Sequence, residues 1–138
     1  MARRRAAPPS SQRLILDAGA VIALARNDAR ARAFVRRAIE LDAEVRVPVV
    51  VLAETLRGTQ RDAAVHRVLN AVSDSAPIDE AVGRRAGALL GRAARSDTVD
   101  AIVVAEAIEA GGAEILTGDA GDLTALASGE RSVTIHAL

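Results

Sequence analysis

Apolar residues along this chain come in short blocks whose internal spacing alternates between consecutive and helical. RLILD, residues 13–17, is a consecutive run that predicts a short buried strand ending at Asp17. AGAVIALARND then sets Val21, Leu24 and Ala25 at helical spacing. ARARAFVRRAIELDA continues as a second helix with Phe34, Val35, Ala38 and Ile39 on one stripe. EVRVP predicts a second strand stopped by Pro48, and VVVLAETLRG a helix closed by Gly58. RDAAVHRVLNAV turns Ala64, Val65, Val68, Leu69 and Val72 inward, and SAPI reads as a brief strand or extended link. In DEAVGRRAGALLGRAAR a helix carries Gly83, Gly87 and Gly91 four residues apart, a spacing that permits close packing against a neighbour. SDTVDAIVVAEAIEAGG is the strongest helix, with Ser96 or Asp97 to cap its start and Gly111 and Gly112 to end it. AEILT reads as a buried strand, GDAGDLTALAS as a loop and short helix, and SVTIHAL as a last strand.

Short apolar strands alternating with helices predict an α/β sandwich with a largely parallel sheet. The length of 138 residues suits one domain with a single core. Residues 1–12, with Arg3 to Arg5, Pro8, Pro9, Ser10 and Ser11, are expected to form a flexible basic arm ahead of a domain over 13–138. Charges interrupt every apolar run well short of the roughly 18 residues a membrane span requires. No apolar segment follows the basic start as a signal peptide would need, so a cytoplasmic location is expected.

Composition removes most chemistries. There is no cysteine, which excludes disulfides, thiolate zinc sites and thiol nucleophiles. All 18 basic residues are arginine, which excludes Schiff-base lysines and the lysine of a phosphate loop. Phe34 is the only aromatic residue, so bases cannot stack on an aromatic platform. No serine sits in a G-x-S-x-G elbow, and the histidines are His66, on a helix face, and His136, in the last strand. Carboxylates are the main reactive groups left. The zero net charge hides an asymmetry. Setting aside Arg3, Arg4, Arg5 and Arg13 leaves 14 arginines against 18 acids. The body is mildly acidic, so contact with nucleic acid must rely on local arginines or a metal.

Four acids occupy comparable places. Asp17 ends the first strand, Asp119 follows EILT, Glu54 is expected in the first turns of the helix after the second strand, and Asp100 lies near the start of the helix before EILT. In an open parallel sheet such positions converge on one edge. Gathering four carboxylates there is repulsive without cations, and hard oxygen ligands point to Mg²⁺ or Mn²⁺. Taken singly, each has a plainer use. Asp17 and Asp119 can be helix caps, Asp97 and Asp100 a capping-box-like pair, and Glu54 a solvated helix acid.

LILDAGAVIAL, VPVVVLAETLRG, TVDAIVVAEA and ILTGDAGDL, in this order, resemble the PIN-domain proteins, particularly the VapC-like toxins of toxin–antitoxin pairs. The similarity spans residues 13–138. It implies a three-layer α/β/α fold and a Mg²⁺- or Mn²⁺-dependent ribonuclease whose metal-binding quartet is Asp17, Glu54, Asp100 and Asp119. Asp97 and Asp122 would be accessory acids, and Thr117, matching the family's hydroxyl position, would orient a carboxylate. Gly19 departs from the pattern, since many relatives carry Ser or Thr there. The resemblance further implies RNA as substrate and a small antitoxin that occludes the acidic cleft. A homodimer is also expected. Gly83, Gly87 and Gly91 are a candidate surface for it, though packing within the chain is the first expectation for that stripe. Arg57, one turn after Glu54, could hold a phosphate or form a surface salt bridge.

Two competitors remain. A phosphatase of the haloacid-dehalogenase type needs a second Asp two residues after the first, where this chain has Gly19, and a lysine it lacks. A catalytically idle binding module on the same fold, or a nuclease without an antitoxin, keeps the acids but differs in partner or activity.

Overall fold

The computed structural model describes residues 12–72, 75 and 77–138, so most of the expected arm and part of SAPI lie outside the described residues. Four strands, β1 (Arg13–Leu16), β2 (Glu44–Arg46), β3 (Ala113–Thr117) and β4 (Val133–Ala137), form a sheet of order β2-β1-β3-β4. Every pairing is parallel, with Leu14 opposite Val45 and Glu114, and Ile115 opposite Ile135. Parallel neighbours require crossovers, and helices supply them. The helices are α1 (Ala18–Ala25), α2 (Ala29–Glu40), α3 (Val49–Thr55), α4 (Ala63–Asn70), α5 (Glu80–Ala93), α6 (Thr98–Glu109) and α7 (Ala120–Leu126). Helix α1 packs with α2, α3 and α4, whereas α5, α6 and α7 pack with one another, which gives the expected three layers.

Layering explains the consecutive apolar runs. Leu14, Ile15, Leu16, Ile115 and Leu116 are buried whichever face they point to, because helices cover both. Helix α6 is apolar on nearly all sides, with Ala101, Val103, Val104, Ala105 and Ala107 buried, because α5 covers its outer side and the sheet its inner one. Gly111 and Gly112 have φ of 89° and 121° and turn the chain from α6 into β3, as their position implied.

Four local expectations are corrected. Helix α3 ends at Thr55, three residues before Gly58, so Glu54, expected in the first turns of a longer helix, stands in the last turn of a short one. The early stop has visible causes. Arg57 folds its guanidinium onto the carbonyls of Ala53 and Leu56 at 3.0 and 2.9 Å, and Asp62 Oδ2 accepts the N–H groups of Arg57 and Gly58 at 2.9 and 2.7 Å. Arg57 is therefore engaged with the helix end, and it makes no surface salt bridge among the described residues. The stripe of α2 is incomplete: Ala31 and Ala38 are buried, but Ile39 is 60% exposed. Finally, Gly83, Gly87 and Gly91 face outward, and a Cβ at any of them would meet nothing within 4 Å. Val82, Ala86 and Leu89 turn α5 toward the core instead, because burying those larger side chains removes more apolar surface from water. The glycine stripe is not used for packing inside the chain.

Candidate functional site

Asp17 and Thr117 lie side by side because β1 and β3 are adjacent and run the same way. Asp17 follows β1 directly and is only 8% exposed. Its Oδ1 accepts the N–H of Ala20 at 3.0 Å, so it does cap α1, and its Oδ2 accepts the hydroxyl of Thr117. Thr117 Oγ1 in turn accepts the N–H of Asp119 at 2.9 Å. The backbones meet closely here. A Cβ on Gly19 would stand 2.8 Å from Gly118 Cα and N, so this chain has no room for the Ser or Thr common at that position.

Asp100 lies in the first turn of α6, and α3, which carries Glu54, packs against α6. Burial, followed by the charges of Asp122, Asp17, Asp97 and Glu54, pushes the Asp100 carboxyl up to about 6. Glu54 is raised by burial and by Asp17, with Arg57 opposing. Asp17 is raised by burial against the pull of its hydrogen bonds to Thr117 and to backbone N–H groups. Five carboxylates therefore share one field at the edge of the sheet where the strands end.

Asp97, Asp100 and Asp122 come closest: each offers an oxygen within 4.8 Å of the others. The plainer capping reading fails at two positions. Asp97 and Asp119 stand at the N-caps of α6 and α7, but neither side chain makes a cap hydrogen bond. Asp119 is tied to the same corner through its N–H, while its carboxylate is not among those acting on Asp100. The two acids expected as accessories are. His66 sits on an exposed face of α4, and His136 pairs with Glu114 at 2.7 Å beside Phe34, both outside this field.

One residue of this cluster, Arg95, is missed by sequence reasoning. Arg95 Nε donates to Asp97 Oδ2 at 2.7 Å and Nη2 pairs with Asp122 Oδ1. Its nearness to Asp97 in sequence was a weak signal. The link to Asp122, 27 residues on, was not readable.

Crowded, partly desolvated carboxylate oxygens suit a hard divalent cation better than they suit one another. The donor set fits Mg²⁺ or Mn²⁺: the oxygens of Asp97, Asp100 and Asp122 converge, and burial together with the neighbouring carboxylates pushes the Asp100 carboxyl up to about 6.

Comparison with known proteins gives a consistent result. The PIN domain family matches residues 14–127. No curated protein matches the chain. Among solved structures, the chain is similar to VapBC2 from Rickettsia felis bound to a DNA fragment from their promoter. The TM-score is 0.72 at 11% identity, covering 91% of this chain and 98% of that one. It is also similar to a toxin–antitoxin complex from Klebsiella pneumoniae, with TM-score 0.66 and 19% identity over 91% of this chain and 99% of that one. At these identities the likeness is one of fold.

Proposed function

This chain belongs to the PIN-domain family, and from that premise we propose that it is a Mg²⁺- or Mn²⁺-dependent endoribonuclease, the toxin of a VapC-like toxin–antitoxin pair. The observation that carries the reading is the shared field of Asp17, Glu54, Asp97, Asp100 and Asp122 on a fold of that family.

Asp17, Glu54, Asp100 and Asp119 would hold the ion, with Asp97 and Asp122 in support. A divalent ion held there would supply the positive charge that polarises a scissile phosphate and lowers the pKa of a water. The chain's own groups do the rest. Two hydrogen bonds pin Asp17 in one orientation, so its carboxylate need not reorganise when substrate arrives. Thr117 is a positioning residue that fixes Asp17 and the start of the Asp119 loop with one hydroxyl. With no lysine in the chain and both histidines elsewhere, a carboxylate is the available acceptor for the proton of the attacking water. RNA would be held through phosphate contacts to arginines, since the chain has no aromatic platform for bases.

An antitoxin partner is supported by the fold neighbours, which are toxin–antitoxin complexes. It is also supported by an apolar groove lined by Leu24, Val35, Ile39, Val68 and Val72 and edged by Arg32 and Arg67. That lining suits an amphipathic segment with acidic residues. Among the described residues no helix is long and apolar enough to cross a membrane.

The test is cleavage of single-stranded RNA by the purified chain with Mn²⁺. Asp17→Asn and Asp100→Asn should each abolish it. Metal-dependent cleavage that survives both substitutions would refute the site, and a wild type that binds the antitoxin but never cleaves would favour an idle binding module.

A further inference from the structure

The carboxylate cluster contains a cation of its own. Through Nε and Nη2, Arg95 spans Asp97 at the start of α6 and Asp122 in the first turn of α7. Both acids lie within 4.8 Å, oxygen to oxygen, of Asp100. The guanidinium is therefore one carboxylate away from any ion that Asp100 holds.

Three features distinguish this from a chance surface pair. Asp97 stands at a helix N-cap but leaves the cap unmade, its carboxylate engaged with Arg95. The fork joins two separate helices and keeps both its acids turned toward Asp100, a geometry that a planar guanidinium holds better than an ammonium. The residue before it, Ala94, adopts a left-handed conformation (φ 53°, ψ 47°) that L-residues disfavour. The N–H groups of Ala94 and Arg95 close α5 on the carbonyls of Gly91 and Leu90, and this turn directs Arg95 back over the cluster.

We propose that Arg95 is the resident counter-cation of the cluster, holding Asp97 and Asp122 together when no metal is bound and competing with a divalent ion for their charge. Arg95 then sets the free metal concentration at which the site loads. The inference rests on the metal-dependent reading of the site. Two consequences have opposite signs. A neutral residue at 95 removes a positive charge beside the ion and tightens its binding. The same change leaves the acids unshielded and weakens the metal-free fold. A merely structural arginine would give the second effect without the first.

The experiment is Mn²⁺ titration calorimetry on the full chain, paired with metal-free melting curves. Arg95→Gln should bind Mn²⁺ about tenfold more tightly than wild type while melting at a lower temperature without metal. Arg95→Lys keeps the charge and should stay within about twofold of wild type in affinity. With wild type binding Mn²⁺ and Asp100→Asn not binding it, an Arg95→Gln affinity equal to or below wild type overturns the inference alone. A wild type that binds no Mn²⁺ overturns the metal reading and the inference together. If Arg95→Gln does not fold, the wild type supplies a second readout. The Arg95 Nε–H resonance should shift on titration with Mg²⁺, and an unmoved signal at saturation overturns the proposal.

Discussion

Asp17 and Thr117 are 100 residues apart in sequence and share one buried hydrogen bond, so this edge of the sheet is locked by the pairing of β1 with β3. Thr117→Val keeps the shape but leaves Asp17 Oδ2 and the Asp119 N–H without their partner. Loss of a buried hydrogen bond predicts about 2 kcal/mol of destabilisation, measurable by urea unfolding. Mn²⁺-dependent cleavage should fall well before folding is lost, and Thr117→Ser, which keeps the hydroxyl, should restore most of it. Full activity in the valine variant would remove Thr117 from any positioning role.

The Asp100 carboxyl sits at about 6 in the folded protein against an ordinary value of 3.8. Between those values the folded state binds more protons than the unfolded one, so stability falls as pH rises through that window. Asp17 and Glu54 are shifted the same way and add to the trend. Asp62, lowered chiefly by the Arg57 N–H, acts in the opposite sense, and its contribution is lost only as pH falls below the ordinary carboxylate range. The metal-free protein should therefore melt at a higher temperature at about pH 5 than at about pH 7. Saturating Mn²⁺ should reverse the order, since ion and proton compete for the same oxygens. Asp100→Asn should flatten the metal-free profile and raise the melting temperature near neutrality. A metal-free profile that rises toward neutrality would contradict the crowding of these acids.

The groove between α1, α2 and α4 leads to a prediction about partners. Ile39 is 60% exposed on its wall, so Ile39→Glu should change stability by no more than about 0.5 kcal/mol. Where a small protein is encoded immediately upstream, wild type co-expressed with it should elute as a complex on size exclusion. Ile39→Glu should elute free with its RNA cleavage intact. A stable complex with the variant would move the partner to another surface.

Much of this was readable from residue order because the relevant signals are local. Leu14 to Leu16 and Ile115 to Leu116 are consecutive apolar residues in strands covered on both faces, and strand ends put Asp17 and Asp119 at one edge whatever the loops do. Asp100 follows from the start of a strongly marked helix. What escaped depends on contacts distant in sequence or on competing local bonds. The end of α3, and with it the place of Glu54, is set by Arg57 and Asp62, which no apolar period encodes. The outward glycines of α5 follow from which neighbouring side chains are larger. Arg95 could be tied to the site only by knowing that α7 starts beside α6.

Glu106 shows what the same helix tolerates away from the site. It lies on α6, 7% exposed, with Oε2 lacking any hydrogen-bond partner among the described residues. Burial pushes its carboxyl up, and the charge of Arg46 opposes this only in part, because Arg46 already donates to Glu44 at 2.8 Å. An unpartnered buried oxygen costs about 1–3 kcal/mol, more when charged, so Glu106 should destabilise the fold at neutral pH. Glu106→Gln removes the charge at nearly constant volume, and Glu106→Met removes the polar atoms as well. Both should raise the melting temperature near neutrality, with a smaller gain below the raised Glu106 pKa, where wild type is already protonated. Cleavage and Mn²⁺ affinity should stay at wild-type values, because Glu106 is not among the charges acting on Asp100. If both variants instead melt lower at every pH, the attraction between Glu106 and Arg46 outweighs the cost of burial, and Glu106 contributes net stability to the fold.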